Sequence, residues 1–189
     1  MLVGFGSNLA SAIGGPVETV RRAMELLNQR PFKVDAASAL FKSAAFPEGS
    51  GPDFVNAAAR VSFEGTPQEA LAQLRAIEGL IGRNRKNRWW PRTLDLDLLA
   101  VGQLILPDRE SFAHWQTLSP ARQRLETPQD LILPHPRMQD RAFVLIPLAE
   151  VAPDWRHPVL GLTVTEMRDG LPAEACAAVE RLGAEVPRV

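Results

Sequence analysis

Asp53-Phe-Val-Asn-Ala-Ala-Ala-Arg-Val-Ser-Phe63 is the stretch whose reading decides the fold. Successive side chains of a strand point to opposite faces, so Val55, Ala57, Ala59, Val61 and Phe63 share one face, the expected core side. Phe54, Asn56, Ala58, Arg60 and Ser62 share the other. An aromatic and an amide two positions apart on that second face suit a flat heterocycle, held by stacking and by edge hydrogen bonds. A surface phenylalanine beside a turn-proximal asparagine fits the same letters, and the strand alone does not choose.

Downstream, Thr66-Pro-Gln-Glu69 is a capping box with proline at the first helical position. It predicts a helix that turns Leu71, Leu74, Ile77 and Ile81 toward the core and stops at Gly82. Leu94 to Val101 predicts the next strand, with Asp95 and Asp97 on one side and leucines on the other, turning at Gly102 into a partner strand over Leu104 to Leu106. Upstream, Leu2 to Phe5 reads as a strand ended by Gly6-Ser7-Asn8. Pro16 opens a helix striped by Val17, Val20, Met24 and Leu27, Phe32 to Phe41 is a further strand, and Ser43 to Pro52 is a loop. The order is strand, helix, strand, strand, helix, strand. That is an α+β, ferredoxin-like split β-α-β sandwich with additional C-terminal strands and helices. Both helices are expected on one sheet face, leaving Phe54, Asn56, Asp95 and Asp97 on an open opposite face.

Between the second helix and the acidic strand lies Gly82-Arg-Asn-Arg-Lys-Asn-Arg-Trp-Trp-Pro-Arg-Thr-Leu-Asp-Leu-Asp97. Arg83, Arg85, Lys86, Arg88 and Arg92 carry no acid among them, and Trp89, Trp90 and Pro91 interrupt the run. Cations for phosphate oxygens followed by hard oxygen ligands suit a polyphosphate with its magnesium ions. Two carboxylates on one strand face repel by roughly 3 kcal/mol at an effective dielectric near 20, a cost that a cation between them removes. Basic residues with interleaved tryptophans also suit single-stranded nucleic acid, though Asp95 and Asp97 would repel its backbone. Another Asp-x-Asp metal–nucleotide transferase is the second alternative.

The chain has 189 residues and a formal net charge of −1, so any electrostatic function is local and no global attraction to nucleic acid or acidic membranes is expected. A single Cys176 excludes an intrachain disulfide and fits a reducing compartment; with no signal-peptide layout and no long apolar run, a cytoplasmic location is expected. Neither a P-loop nor a Rossmann glycine fingerprint is present. The chain reads as one domain over 1–189, with an insertion at 107–130 holding a surface His114 and a short helix after Ser119-Pro120, and a C-terminal helical extension over 160–189. The last of these includes a helix from Pro172 to Leu182. His135, Arg137 and Arg141 are candidate phosphate donors, the run from Arg141 through Leu148 is helix-like, and Trp155 and His157 read as a wall and a turn.

Four motifs in order resemble the 6-hydroxymethyl-7,8-dihydropterin pyrophosphokinases of folate biosynthesis. They are Gly6-Ser-Asn-Leu9, Asp53-Phe-Val-Asn56, Arg88-Trp-Trp-Pro-Arg-Thr-Leu-Asp-Leu-Asp97, and Leu133-Pro-His-Pro-Arg-Met138 with Arg141-Ala-Phe143. The resemblance implies a ferredoxin-like fold, a monomer, and transfer of pyrophosphate from ATP to the pterin hydroxymethyl group with release of AMP. It implies Asp95 and Asp97 as ligands of two magnesium ions, and Arg83 and Arg92 as catalytic cations beside them. It implies ATP contacts from Glu78, Arg83, Arg85, Arg88, Trp89, Arg92, Leu98, His135 and Arg141. For the pterin it implies Phe54 and Phe143 as stacking partners, Asn56 as the edge reader, and Ser43, Ala44 and Phe46 as backbone contacts. Trp90 stands where the family commonly has glycine, the loop from Ala44 to Gly51 lacks the family's Gly and Gln pattern, and the 107–130 segment is longer than in most members.

Overall fold

The structure, a computed structural model, describes residues 1–45, 51–82, 93–119, 122 and 125–183. Strand β1 (Leu2–Ser7) leads to helix α1 (Pro16–Leu27), which has proline in its first turn and buries Val20, Ala23, Met24 and Leu27. Strands β2 (Phe32–Ala37), β3 (Phe41–Ser43) and β4 (Phe54–Phe63) follow. Helix α2 (Pro67–Leu80) starts on the expected capping box, Thr66 and Glu69 each bonding the other's backbone N–H. Strand β5 (Asp95–Ala100) is next. With a last strand β6 (Val179–Arg181), the sheet order is β5-β1-β4-β3-β6, with β2 also on β4, and every pairing is antiparallel. The ferredoxin-like arrangement of the pieces from β1 to β5 is therefore as expected.

The expected strand from Phe32 to Phe41 is broken into two. β2 pairs with the C-terminal half of β4, from Phe32 opposite Phe63 to Ala37 opposite Ala59, and β3 pairs with its N-terminal half, from Phe41 opposite Asn56. Ser38 makes the break. Its Oγ accepts the Ala58 N–H at 2.9 Å and its own N–H donates to Ala58 O at 2.9 Å, so side chain and backbone together replace a ladder rung.

α1 and α2 cover one sheet face, where Val55, Ala57, Ala59 and Val61 meet Val20, Leu27, Leu74, Leu94, Leu96 and Leu98. The opposite face is not open along its whole length, contrary to expectation. Helix α4 (Ala142–Val151) lies across it and, with α5 (Val164–Asp169), builds a second core from Leu2, Ala58, Leu99, Leu145, Leu148, Val151 and Met167. A helix apolar on nearly every side, as Ala-Phe-Val-Leu-Ile-Pro-Leu is, needs burial on both flanks. What remains open is one end of that face.

Three further expectations change. Leu104 to Leu106 is not a strand partner of β5; after the left-handed turn at Gly102, Leu106 exchanges both backbone hydrogen bonds with Leu133, at 2.9 and 3.1 Å. The insertion contains α3 (Arg109–Thr117), capped by Asp108 and buried through Phe112, with His114 on the surface as expected. The helix foreseen after Ser119-Pro120 falls largely outside the described residues. The C-terminal helix is only α6 (Ala173–Ala177), after which the chain becomes β6 (Val179–Arg181) on the outer edge of β3. A free strand edge of matching length outweighs the helical propensity of the alanine-rich sequence there.

Candidate active site

The antiparallel register sets the floor of the site. Directly opposed residues share a face, so Asp95, Gly6 and Asn56 form one row across β5, β1 and β4, and Asp97, Gly4 and Ala58 form the next. The middle strand contributes only hydrogen atoms to these rows. A Cβ on Gly6 would sit 3.8 Å from Asn56 Oδ1 and 3.8 Å from the Phe54 ring. Gly6 therefore keeps a shallow trough between Asp95 and the amide, while over Gly4 the Leu99 side chain packs 3.4 Å from where a Cβ would stand and closes the next row. A glycine inside a strand, where a close approach is needed, is the signal that could have located this trough.

Asp95 and Asp97 are half-buried, and the leucines between and beyond them are in the core. Glu78 is 1% exposed, and its Oε1 accepts the Leu96 N–H at 2.9 Å, gripping the backbone between the two acids. This hydrogen bond gives Glu78 a role in supporting β5 from behind, beside its expected place among ATP contacts. Leu98 is 3% exposed and turns its side chain to the core with Leu94 and Leu96, which leaves its backbone as the part able to meet a nucleotide.

On the far side of the trough Asn56 is buried, and its amide nitrogen donates to Ser43 Oγ at 2.9 Å. Phe54 is half-buried beside it and Ala44 is exposed. The start of α4 brings in Phe143, with the Arg141 guanidinium 5.8 Å from its ring centre. Burial pushes the Arg141 pKa below its usual value, and Asp97, then Asp95, act against that, which places this cation within electrostatic reach of both acids. His135 donates its backbone N–H to Leu99 O at 2.8 Å, docking on β5, while its Nδ1 accepts the Arg137 N–H at 3.1 Å. Burial first, then the Arg141 cation, push its imidazole down to about 3, with Asp95 opposing. His135 is thus a neutral ring with its proton on Nε2, a single N–H donor.

Two residues of the first motif, to which sequence reasoning gave no role, anchor the trough's rim. Ser7 is fully buried and donates from Oγ to Thr93 O at 2.5 Å, two residues before Asp95. Asn8 donates from its amide to Pro52 O at 3.3 Å, just before the Asp53–Asn56 stretch. The expected site residues Phe46, Arg83, Arg85, Arg88, Trp89 and Arg92, with Lys86 and Trp90, lie outside the described residues.

Two carboxylates with no third acidic or imidazole ligand grouped beside them among the described residues suit magnesium, which is commonly held by one or two carboxylates while phosphate and water complete its shell. With a buried guanidinium at the acids and an aromatic–amide wall across the trough, such a site suits metal-assisted transfer of a phosphate-derived group to a flat acceptor. That makes the chain a candidate phosphoryl-group transferase on an α+β sheet. Comparison narrows this class. The pattern of the 7,8-dihydro-6-hydroxymethylpterin-pyrophosphokinase family matches residues 2–153, and the chain belongs to that family. A 2-amino-4-hydroxy-6-hydroxymethyldihydropteridine pyrophosphokinase of Synechocystis is 38% identical over 88% of this chain and 73% of its own length. One of Pseudomonas aeruginosa is 37% identical over 95% of this chain and 94% of its own. In shape the chain is similar to the Plasmodium falciparum HPPK-DHPS wild type with STZ-DHP, with a TM-score of 0.63 at 13% identity, covering 89% of this chain and 42% of that one. It therefore spans less than half of that longer polypeptide.

Proposed function

We infer that this chain is a folate-biosynthesis enzyme that transfers pyrophosphate from ATP to 6-hydroxymethyl-7,8-dihydropterin, giving the pterin diphosphate and AMP. The observation that carries the reading is the shared face of Asp95, Asp97, Asn56 and Phe54, separated only by Gly4 and Gly6, with Arg141 and Phe143 arriving from α4. The pterin ring lies between Phe54 and Phe143, its polar edge read by Asn56, with backbone contacts from Ser43 and Ala44. ATP lies with its phosphates over the acids.

The hydroxymethyl oxygen attacks the β-phosphorus in line; the new O–P bond forms as the bond from that phosphorus to the α–β bridging oxygen breaks. The hydroxyl proton is lost and AMP departs. Such transfers need positioning and charge neutralisation more than covalent help. Asp95 and Asp97 are the residues that would hold magnesium, two ions in this reading, which would supply charge neutralisation and polarise the attacking hydroxyl. Arg141 and the His135 Nε2–H donate to phosphate oxygens, and the arginines between 83 and 92 add positive charge for the same oxygens. No described helix is long and apolar enough to cross a membrane.

The test is incubation with ATP, magnesium and the dihydropterin. AMP and pterin diphosphate in equal amounts are expected; ADP or free pyrophosphate as the product would point to another Asp-x-Asp transferase. Asp97→Ala should abolish turnover with the fold intact, and near-normal AMP release by that variant would refute the metal assignment.

A further inference from the structure

We propose that Glu150, together with the C-terminal strand β6, is a positioning element for the pterin subsite, fixing how the β3–β4 wall stands against the Phe143 wall. The inference rests on the functional reading above. β3 is only three residues long and follows the break at Ser38, so its pairing with β4 alone is marginal. It nonetheless carries Ser43, whose Oγ accepts from Asn56 at 2.9 Å. Any displacement of β3 is therefore passed to the residue that reads the heterocycle.

Two features hold β3 in place. β6 pairs along its outer edge, with Ser43 opposite Val179, Lys42 opposite Glu180 and Phe41 opposite Arg181, and the Leu182 N–H donates to Leu40 O at 2.9 Å. Glu150, at the end of α4, closes the other side: Oε2 accepts the Ala39 N–H at 2.7 Å in the break, while Oε1 pairs with Arg181 Nη1 at 3.2 Å. One carboxylate thus ties the β2–β3 break and the C-terminal strand to the helix that carries Phe143 in its first turn. Phe143 and Glu150 lie about two helical turns, roughly 10 Å, apart on one side of α4. α4 packs on β4 and touches β3 and β6. The family pattern ends at residue 153, so β6 comes from beyond the matched span. A half-exposed ion pair adds little stability, so the effect belongs in substrate position rather than in the fold.

Steady-state assays of the full-length protein test this, with the dihydropterin titrated at saturating MgATP and ATP titrated at saturating pterin. Glu150→Ala should raise the pterin KM on the order of fivefold, the worth of one ordinary hydrogen bond, with kcat and the ATP KM little changed. Glu150→Gln keeps an acceptor for Ala39 and should restore most of the affinity. Glu180→Pro removes the backbone donor at the middle of exposed β6 and should reproduce the pterin defect, deciding the matter if Glu150→Ala does not fold. An unchanged pterin KM in Glu180→Pro, or an equal loss across pterin KM, ATP KM and kcat, would overturn the proposal. Absence of turnover in the unaltered chain would instead strike the functional reading, and the clasp's role with it.

Discussion

Glu78 separates two accounts of the same acidic residue, so its removal is the most informative single perturbation. Its carboxylate accepts the N–H of Leu96, the residue between Asp95 and Asp97, at 2.9 Å from a position that is 1% exposed. An ordinary hydrogen bond contributes about 0.5–1.5 kcal/mol, and a buried donor left without its partner costs about 1–3 kcal/mol more. Glu78→Ala should therefore lose about 2–4 kcal/mol, a large share of the ~5–15 kcal/mol that holds a domain folded. Glu78→Gln keeps an acceptor for the same N–H and should lose less than about 1.5 kcal/mol. Urea unfolding reads this directly: with a slope near 2 kcal/mol/M, the alanine midpoint should fall by roughly 1–2 M at unchanged slope. In AMP-release assays below the unfolding range, Glu78→Ala should lose kcat because β5 no longer fixes both acids, whereas Glu78→Gln should keep its ATP KM. An alanine variant as stable as the unaltered protein, with its defect confined to ATP KM, would refute strand support and restore a direct nucleotide contact.

Phe143→Ala should raise the pterin KM between about twofold and tenfold, the range of an aromatic pair worth ~0.5–1.5 kcal/mol, and unaltered affinity by titration would remove the stacking role. Ser7→Ala deletes the 2.5 Å bond to Thr93 O and should cost about 0.5–1.5 kcal/mol in urea unfolding, with a matching loss of kcat rather than of pterin affinity. His157 is 0% exposed, with Nδ1 accepting the Val159 and Leu160 N–H groups, and burial pushes its pKa from 6.5 down to about 4. The folded state thus binds this proton more weakly than the unfolded chain. Its contribution is full above pH 6.5 and is lost as pH falls toward 4, about 3 kcal/mol at about 1.4 kcal/mol per pH unit. Unfolding midpoints measured across that window should converge for the unaltered chain and His157→Gln at the acid end; parallel curves would show that His157 titrates normally.

The parts of the fold that could be read from sequence are those with a local period or cap. The β4 alternation, the Thr66–Glu69 box and the Asp95/Asp97 alternation each state a face or a start without reference to distant chain, and together they gave the sheet and its acidic end. The same alternation puts the Leu98 side chain on the core side with Leu94 and Leu96. What escaped reading depends on partners far away in sequence. α4 is apolar on all sides and so advertises no face, the break at Ser38 depends on Ala58, and β6 forms only because β3 leaves an edge free. Glu78 and Glu150 look alike as helix glutamates. Only tertiary structure distinguishes the one that grips Leu96 from the one that reaches Ala39.

The glycine row of β1 also has a metric consequence. Only one strand lies between the acids of β5 and the amide of β4, so the two stand two inter-strand spacings apart, about 9.5 Å. That interval is cut by backbone ladders and no side-chain replacement can lengthen it. The sheet acts as a gauge block between ring recognition and group transfer. A pterin whose hydroxyl sits on a two-carbon arm would still dock its ring, yet would carry its oxygen past the place where the phosphorus waits.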